Sequence, residues 1–328
     1  MTLKYLMSVV LTLNVSMWCM SAAVHGHSVD TAERESDGSY RARDAEHYGD
    51  SGHNSEFDHE AILGSVKEAE EFDKLDPEES KRRLAQLLPK MDLNGDQNVD
   101  RQELKKWILK SFINLSREEA EERLQEADEN RDGFVTWKEY LQESFGVDDE
   151  NEISAEEVGE SNMVRLLHEE KGMWAQADAN GDNMLDLAEF EVFSNPEEHE
   201  VMHPYLINQT LREKDANRDK RIDFNEFVSD RGSPLDKSWL ISEKDRFDHD
   251  LDLNGDGVLD LQEIHQWVIP NNDEIVEEEV AHLFASADDD HDDLLSFEEI
   301  LQHHDVFVGS EATAYDDDML GEHYGDEL

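Results

Sequence analysis

The sequence predicts an all-α protein of six helix-loop-helix units in three pairs, with flexible acidic tails at both ends. Three observations carry this. An acidic twelve-residue unit recurs, starting at Asp92, Asp128, Asp178, Asp215, Asp252 and Asp288. Each copy lies between stretches whose apolar residues recur at helical spacing. The steps between copies are 36, 50, 37, 37 and 36 residues, room for an exiting helix, a short link and an entering helix. The long step holds 148–160, with seven acids and no Lys or Arg, which reads as a linker between pairs. Consecutive units, one with two, three with four and five with six, are therefore expected to pair.

From the N-terminus, residues 1–23 read as a signal peptide. Lys4 is their only charge, an apolar run extends from Leu6 to Cys19, and small residues Ser21, Ala22 and Ala23 follow. The run is short for a membrane span, so no membrane insertion is expected after cleavage. Cys19 is the only cysteine, so the mature chain has no disulfide and must gain stability elsewhere. Residues 24–75 read as a flexible, acidic, His-rich tail. Its His25, His27, His47 and His53 follow no ligand spacing, and a solvated tail is the plainer reading.

Order is expected from Asp76, where Asp76-Pro77-Glu78-Glu79 has the form of a helix start. The first pair then covers 76–147, a linker 148–162, the second pair 163–232, the third 233–305, and a tail 306–328. Ser116 to Glu119 reads as a capping box opening the second unit's entering helix. Val276, Val280, Leu283, Phe284 and Ala287 form an apolar stripe before the sixth loop. Leu104, Trp107 and Ile108, and Ile264, Trp267 and Val268, line exiting helices and read as core.

The charge balance, 29 Lys plus Arg against 83 Asp plus Glu, disfavours nucleic acid and anionic membrane surfaces. It favours cations. A calcium ion takes six to eight oxygens. A single loop supplies them from side chains at positions 1, 3, 5 and 12, a backbone carbonyl at 7 and a water bridged at 9. The candidate ligands, with the position-7 carbonyl fourth in each set, follow directly. Loop one has Asp92, Asn94, Asp96, Asn98 and Glu103; loop two has Asp128, Asn130, Asp132, Phe134 and Glu139. Loop three has Asp178, Asn180, Asp182, Met184 and Glu189; loop four has Asp215, Asn217, Asp219, Arg221 and Glu226. Loop five has Asp252, Asn254, Asp256, Val258 and Glu263; loop six has Asp288, Asp290, Asp292, Leu294 and Glu299. Position 8 is always apolar (Val99, Val135, Leu185, Ile222, Leu259, Leu295), as a strand contact between paired loops requires. This is the EF-hand pattern, and a merely solvated acidic surface would not keep the apolar eighth position.

The loops are unequal. Position 6 needs a positive φ, yet only Gly133 and Gly257 are glycines there; Gln97, Asn183, Lys220 and Asp293 occupy the rest. Loops two and five are expected to lead and loop four to be among the weakest. Pro89, three residues before loop one, is expected to distort it. Low affinity, about 10⁻⁴–10⁻³ M, is expected overall. Calcium should relieve the charge repulsion of a chain at net -54 and drive compaction and helix gain.

Outside the loops, Phe57-Asp58-His59-Glu60 with Leu63-Gly64, the run from Phe72 to Ser80, Pro196-Glu197-Glu198 and Phe307-Val308-Gly309-Ser310 carry a further signal. In these and the loops the chain resembles the CREC family, the calumenin and reticulocalbin group of multiple EF-hand proteins. The resemblance implies a luminal secretory-pathway protein that binds calcium weakly and contacts client or regulatory proteins. The end Gly325-Asp326-Glu327-Leu328 differs from endoplasmic-reticulum retrieval signals only in its first residue, and implies that lumen with Golgi passage or secretion. Two sequons, Asn114-Leu115-Ser116 and Asn208-Gln209-Thr210, mark it as a glycoprotein. The chain reads as a monomer. Two function classes stand: a calcium buffer or calcium-folded scaffold, and a calcium-dependent binder of clients. No zinc-protease helix, phosphate loop or activated nucleophile is present, so no enzyme is expected.

Overall fold

The computed structural model describes residues 34–310 apart from 36, 46, 50–51, 151–160 and 230–236. The signal peptide, His25 and His27, most of the acidic linker and the Gly325–Leu328 end lie outside the described residues.

Each loop ends in a two-residue strand, and the strands decide the pairing. β3 (Asn98–Val99) pairs antiparallel with β8 (Leu295–Ser296), β4 (Val135–Thr136) with β5 (Met184–Leu185), and β6 (Ile222–Asp223) with β7 (Val258–Leu259). Loop one therefore joins loop six, two joins three, and four joins five. This corrects the expected pairing of consecutive units one-two, three-four and five-six. The apolar eighth positions face each other as predicted, Val99 with Leu295, Val135 with Leu185 and Ile222 with Leu259, and all six are fully buried.

The reason lies in α5 (Arg101–Ala127), one unbroken helix of 27 residues from loop one to loop two. At 1.5 Å per residue it is about 40 Å long, so its two loops stand at opposite ends and cannot meet. It contains neither Gly nor Pro. The capping box expected at Ser116–Glu119 does not form: the Ser116 hydroxyl donates to the Phe112 carbonyl one turn back (2.9 Å), inside the helix. Asn114, the acceptor of the first sequon, sits exposed on this helix. Other connectors bend. α12 (Leu261–Val268) stops before Pro270, and Asn271 caps α13 (Asn272–Ala287).

Three apolar cores follow the three spatial pairs. One gathers Leu104, Ile108 and Phe112 with Val276, Val280, Leu283, Phe284 and Ala287, the stripe predicted before loop six. A second joins α6 (Trp137–Phe145), α7 (Ser161–Ala177) and α8 (Leu187–Ser194) around Tyr140, Trp174, Phe190 and Phe193. The third joins α9 (His203–Lys214), α10 (Phe224–Phe227) and α12 around Phe227, Phe247, Ile264 and Trp267. Before loop five, α11 (Lys237–Arg246) runs into a π-helical turn, Phe247–Leu251.

Order begins well before Asp76, which corrects the expected flexible stretch over 24–75 for its described part. The Tyr40 amide donates to the Val268 carbonyl (2.9 Å), Asp37 pairs with Arg246, and Arg43 pairs with Glu198 (2.6 Å). A hairpin of β1 (Tyr48–Gly49) and β2 (Gly52–His53) leads into α1 (Ser55–Leu63) and α2 (Val66–Asp73). The polar composition misled because its charges are paired across units rather than solvated. α1 ends on Gly64 at φ 67°, where a side chain would also press to 3.0 Å on the Ser111 backbone. α3 (Pro77–Leu84) starts as read, Asp76 capping the Glu79 amide.

Pro89 does not distort loop one. The entering helix stops at Leu84 and restarts as α4 (Leu88–Met91), with Pro89 in its first turn, where no amide donor is needed. At the other end, α14 (Phe297–Gln302) is followed by α15 (His304–Val308), whose Phe307 and Val308 are fully buried. Residues 306–310, expected in the tail, are therefore part of the fold. The family-like stretches meet here: Ser80 donates to the Gly309 carbonyl (2.8 Å), and His59 Nε2 lies 3.0 Å from the Asp305 carbonyl.

Candidate metal centres

Each loop is built by the same backbone logic. The first Asp accepts amides from positions 4 to 6. Asp92 takes Gly95 (2.6 Å) and Gln97 (2.9 Å), and Asp252 takes Gly255 (2.8 Å) and Gly257 (2.7 Å). Asp128, Asp178, Asp215 and Asp288 do the same with Gly133, Asn183, Lys220 and Asp293. Desolvation pushes the Asp92 carboxyl up, but the amides of Gln97, Gly95, Asp96 and Asn94 outweigh it and hold it below the usual range. Position 3 folds inward in loops one, three, four, five and six, where Asn94, Asn180, Asn217, Asn254 and Asp290 accept the position-5 amide; Asn130 instead donates to Glu139 (2.9 Å).

Position 5 carboxylates (Asp96, Asp132, Asp182, Asp219, Asp256, Asp292) accept the amides of Asn98, Phe134, Met184, Arg221, Val258 and Leu294 at 2.9 to 3.1 Å. The structure therefore folds the six units into similar loops, with the exception at Asn130 in loop two. In loop six, ligand atoms of Asp288, Asp290 and Glu299 lie within 4.8 Å of one another. These donor sets are oxygen only, as a hard cation requires.

The ninth position has a structural part that the loop pattern alone did not reveal. Asp100, Thr136, Asp186, Asp223, Asp260 and Ser296 each cap the exiting helix, and the Glu at position 12 reaches back in a reciprocal capping box. The signal was present as Asp, Ser or Thr three residues before Glu. The box pre-orients Glu103, Glu139, Glu189, Glu226, Glu263 and Glu299 over the loop entrance. Glu103 also accepts the Leu93 and Asn94 amides (2.9 and 3.1 Å). Burial pushes the Glu299 carboxyl up, yet the Ser296 hydroxyl and the Ser296, Asp289 and Asp290 amides hold it below its ordinary range.

Backbone strain ranks the loops differently from position 6 alone. Position 6 is left-handed in all six loops, and so is position 4. Loop five has Gly255 and Gly257 at both; loops one, two and three have one glycine each pair; loops four and six have none, with Arg218 and Lys220, and His291 and Asp293. Loop five stands alone as unstrained, and loop six joins loop four. Asp128 and Asp252 are the two first-position carboxylates that are buried.

The four-five pairing also brings Arg221 of loop four to 3.4 Å from Asp256, the fifth position of loop five. Both groups are about half exposed, so solvent screens the pair. Arg221→Gln is expected to tighten loop five about two- to threefold, read by calcium titration of the Gly257 amide resonance. An unchanged midpoint would show that the contact does not compete with the ion.

A model of an EF-hand domain pair matches residues 81–145, 171–229 and 244–303. The chain is 39% identical over 289 residues to reticulocalbin-2 of Mus musculus, covering 86% of this chain and 90% of that protein. It is 36% identical to reticulocalbin-2 of Crotalus adamanteus (80% and 88% covered) and 34% identical to reticulocalbin-3 of Mus musculus (84% and 85%). The chain belongs to the CREC family. As a CREC-family EF-hand protein it binds calcium and is not an enzyme. The matched segments each span two hands consecutive in sequence, whereas the strands pair hands offset by one. Among the described residues, no helix is long and apolar enough to cross a membrane.

Proposed function

We propose that this CREC-family protein is a low-affinity calcium buffer and calcium-folded scaffold of the endoplasmic-reticulum lumen, with the six loop ligand sets above as its sites. The carrying observation is the burial of loop carboxylates: Glu103, Glu189, Glu226, Glu263, Asp128 and Asp252 are all buried at the edges of the cores. Their amide hydrogen bonds offset part of the desolvation, and a divalent cation supplies the remaining charge. Because each core lies between two paired loops, ion binding and core assembly are one event. The apolar helix faces are committed to these cores, which favours a scaffold over a groove opened by calcium. The luminal reading rests on the leader, the retrieval-like end and the reticulocalbin relatives.

Chelating calcium is expected to lower the helical dichroism and enlarge the radius of gyration of the mature chain. Far-ultraviolet dichroism and small-angle scattering, before and after chelator, check this. Unchanged signals would remove the calcium-folded reading, and calorimetry showing six sub-micromolar sites would remove the low-affinity one.

A further inference from the structure

The hairpin that the N-terminal stretch forms brings together side chains with no sequence spacing to announce them. His47 precedes β1, His53 ends β2, Asp58 lies in the first turns of α1 and His282 comes from α13 of the sixth hand. Asp58 is 1% exposed and is the centre of the group. Its Oδ1 lies 2.8 Å from His47 Nε2, and its Oδ2 lies 3.1 Å from His53 Nε2 and 3.4 Å from His282 Nε2. The two hairpin nitrogens, His47 Nε2 and His53 Nε2, are 3.0 Å apart.

Close as they are, these approaches lack hydrogen-bond direction for the carboxylate. Both Asp58 oxygens and His282 Nε2 are buried without a hydrogen bond. Beside them Glu279 is 1% exposed, also with both oxygens unpartnered, 3.8 Å from His47 Nε2. Among the described residues no Lys or Arg pairs with Asp58 or Glu279. A buried carboxylate with neither oxygen hydrogen-bonded, as at Asp58, is costly, and such groups are normally paired or bound to metal.

The distances fit one kind of occupant. Four ligands at 2.0–2.1 Å around a tetrahedral ion stand about 3.3 Å from one another. The separations among the three ligands that lie together, 3.0 Å between the His47 and His53 nitrogens and 2.8 and 3.1 Å from these to the Asp58 oxygens, fall near that edge length. Ligand atoms of His47, His53 and Asp58 lie mutually within 4.8 Å. We propose that His47, His53 and Asp58, with His282 against Asp58 Oδ2, form a binding site for a divalent transition metal of the zinc class, separate from the six calcium loops. Imidazole nitrogen suits zinc and its neighbours, whereas calcium and magnesium take oxygen shells. Glu279 lies just outside the ligands, 3.8 Å from His47 Nε2. The ion would fasten the hairpin to α1, where Asp58 also meets His282 of α13.

The test is equilibrium dialysis of the mature chain against zinc, with calcium and magnesium in excess, followed by metal analysis. One retained zinc per chain is expected. Cobalt(II) in its place should give the intense visible bands of a four-coordinate ion. His47→Gln/His53→Gln should abolish both signals while calcium titration of the six loops is unchanged. Should that variant fold poorly by dichroism, His53→Gln, altering a side chain about one-third exposed, should still weaken zinc by at least about tenfold. Absence of retained zinc, or zinc retained equally by the folded variants, would overturn the assignment.

Discussion

Replacing Arg218 and Lys220 together by glycine is expected to raise the calcium affinity of loop four about thirtyfold. Both residues are held at positive φ, 62° and 64°, where an L side chain crowds its own backbone. Each costs about 1 kcal/mol relative to glycine, so the pair costs about 2 kcal/mol, which converts to that factor. The comparison loop is five, whose Gly255 and Gly257 meet the same two turns at φ 72° and 86° without a side chain. The substitution also removes two cations from the loop, which adds to the effect. Lys220→Ala separates the causes: it removes charge and keeps the strain, and should give only a few-fold gain. Calcium titration followed at the Asp219 and Ile222 amide resonances reads loop four directly. A gain below about threefold for the double substitution would mean that the strain is already present without calcium and burdens folding rather than binding.

Leu295→Asp should abolish calcium binding at loop one as well as at loop six, while loop five keeps its response. Leu295 is fully buried opposite Val99 in the strand contact between loops one and six. Placing a carboxylate there loses the packing of a core leucine and buries an unpaired charge, about 4 kcal/mol or more. That exceeds what a weak calcium site can restore. The Gly95 amide resonance reports loop one and the Gly257 resonance loop five. Loss at Gly257 with survival at Gly95 would restore the consecutive pairing and contradict the strand register. The same substitution logic applied to Val135 should silence loop three, not loop one, since Val135 faces Leu185.

Much of this protein was legible from residue spacing, because a calcium loop is a local object. Positions 1, 3, 5, 7 and 12 lie within twelve residues, so Asp92 to Glu103 carries its own instructions, and so does every later copy. The Asp76 helix start and the stripe from Val276 to Ala287 were legible for the same reason: hydrogen bonds and helical periodicity act over three or four residues. The strain at position 4 was within reach too, since Gly95, Gly181 and Gly255 recur there and Arg131, Arg218 and His291 break the rule.

Which loop meets which was not legible. A connector of 36 residues accommodates either a bent helix pair or a straight rod, and the rod in Arg101–Ala127 follows from an absence of breakers that no motif announces. Once that rod separates loops one and two by about 40 Å, loop one must find another partner, and loop six at the far end of the chain supplies it. The polar N-terminal stretch, likewise, is ordered by partners such as Val268, Glu198 and Arg246, each more than 150 residues away in sequence. By itself, then, the sequence determined the family, the calcium chemistry and the local form of the six loops, because loop geometry rests on contacts within twelve residues or one helical turn. Only the tertiary structure decided the pairing of one with six, two with three and four with five, and the meeting of His47, His53, Asp58 and His282, because those depend on distances between residues that local spacing does not encode.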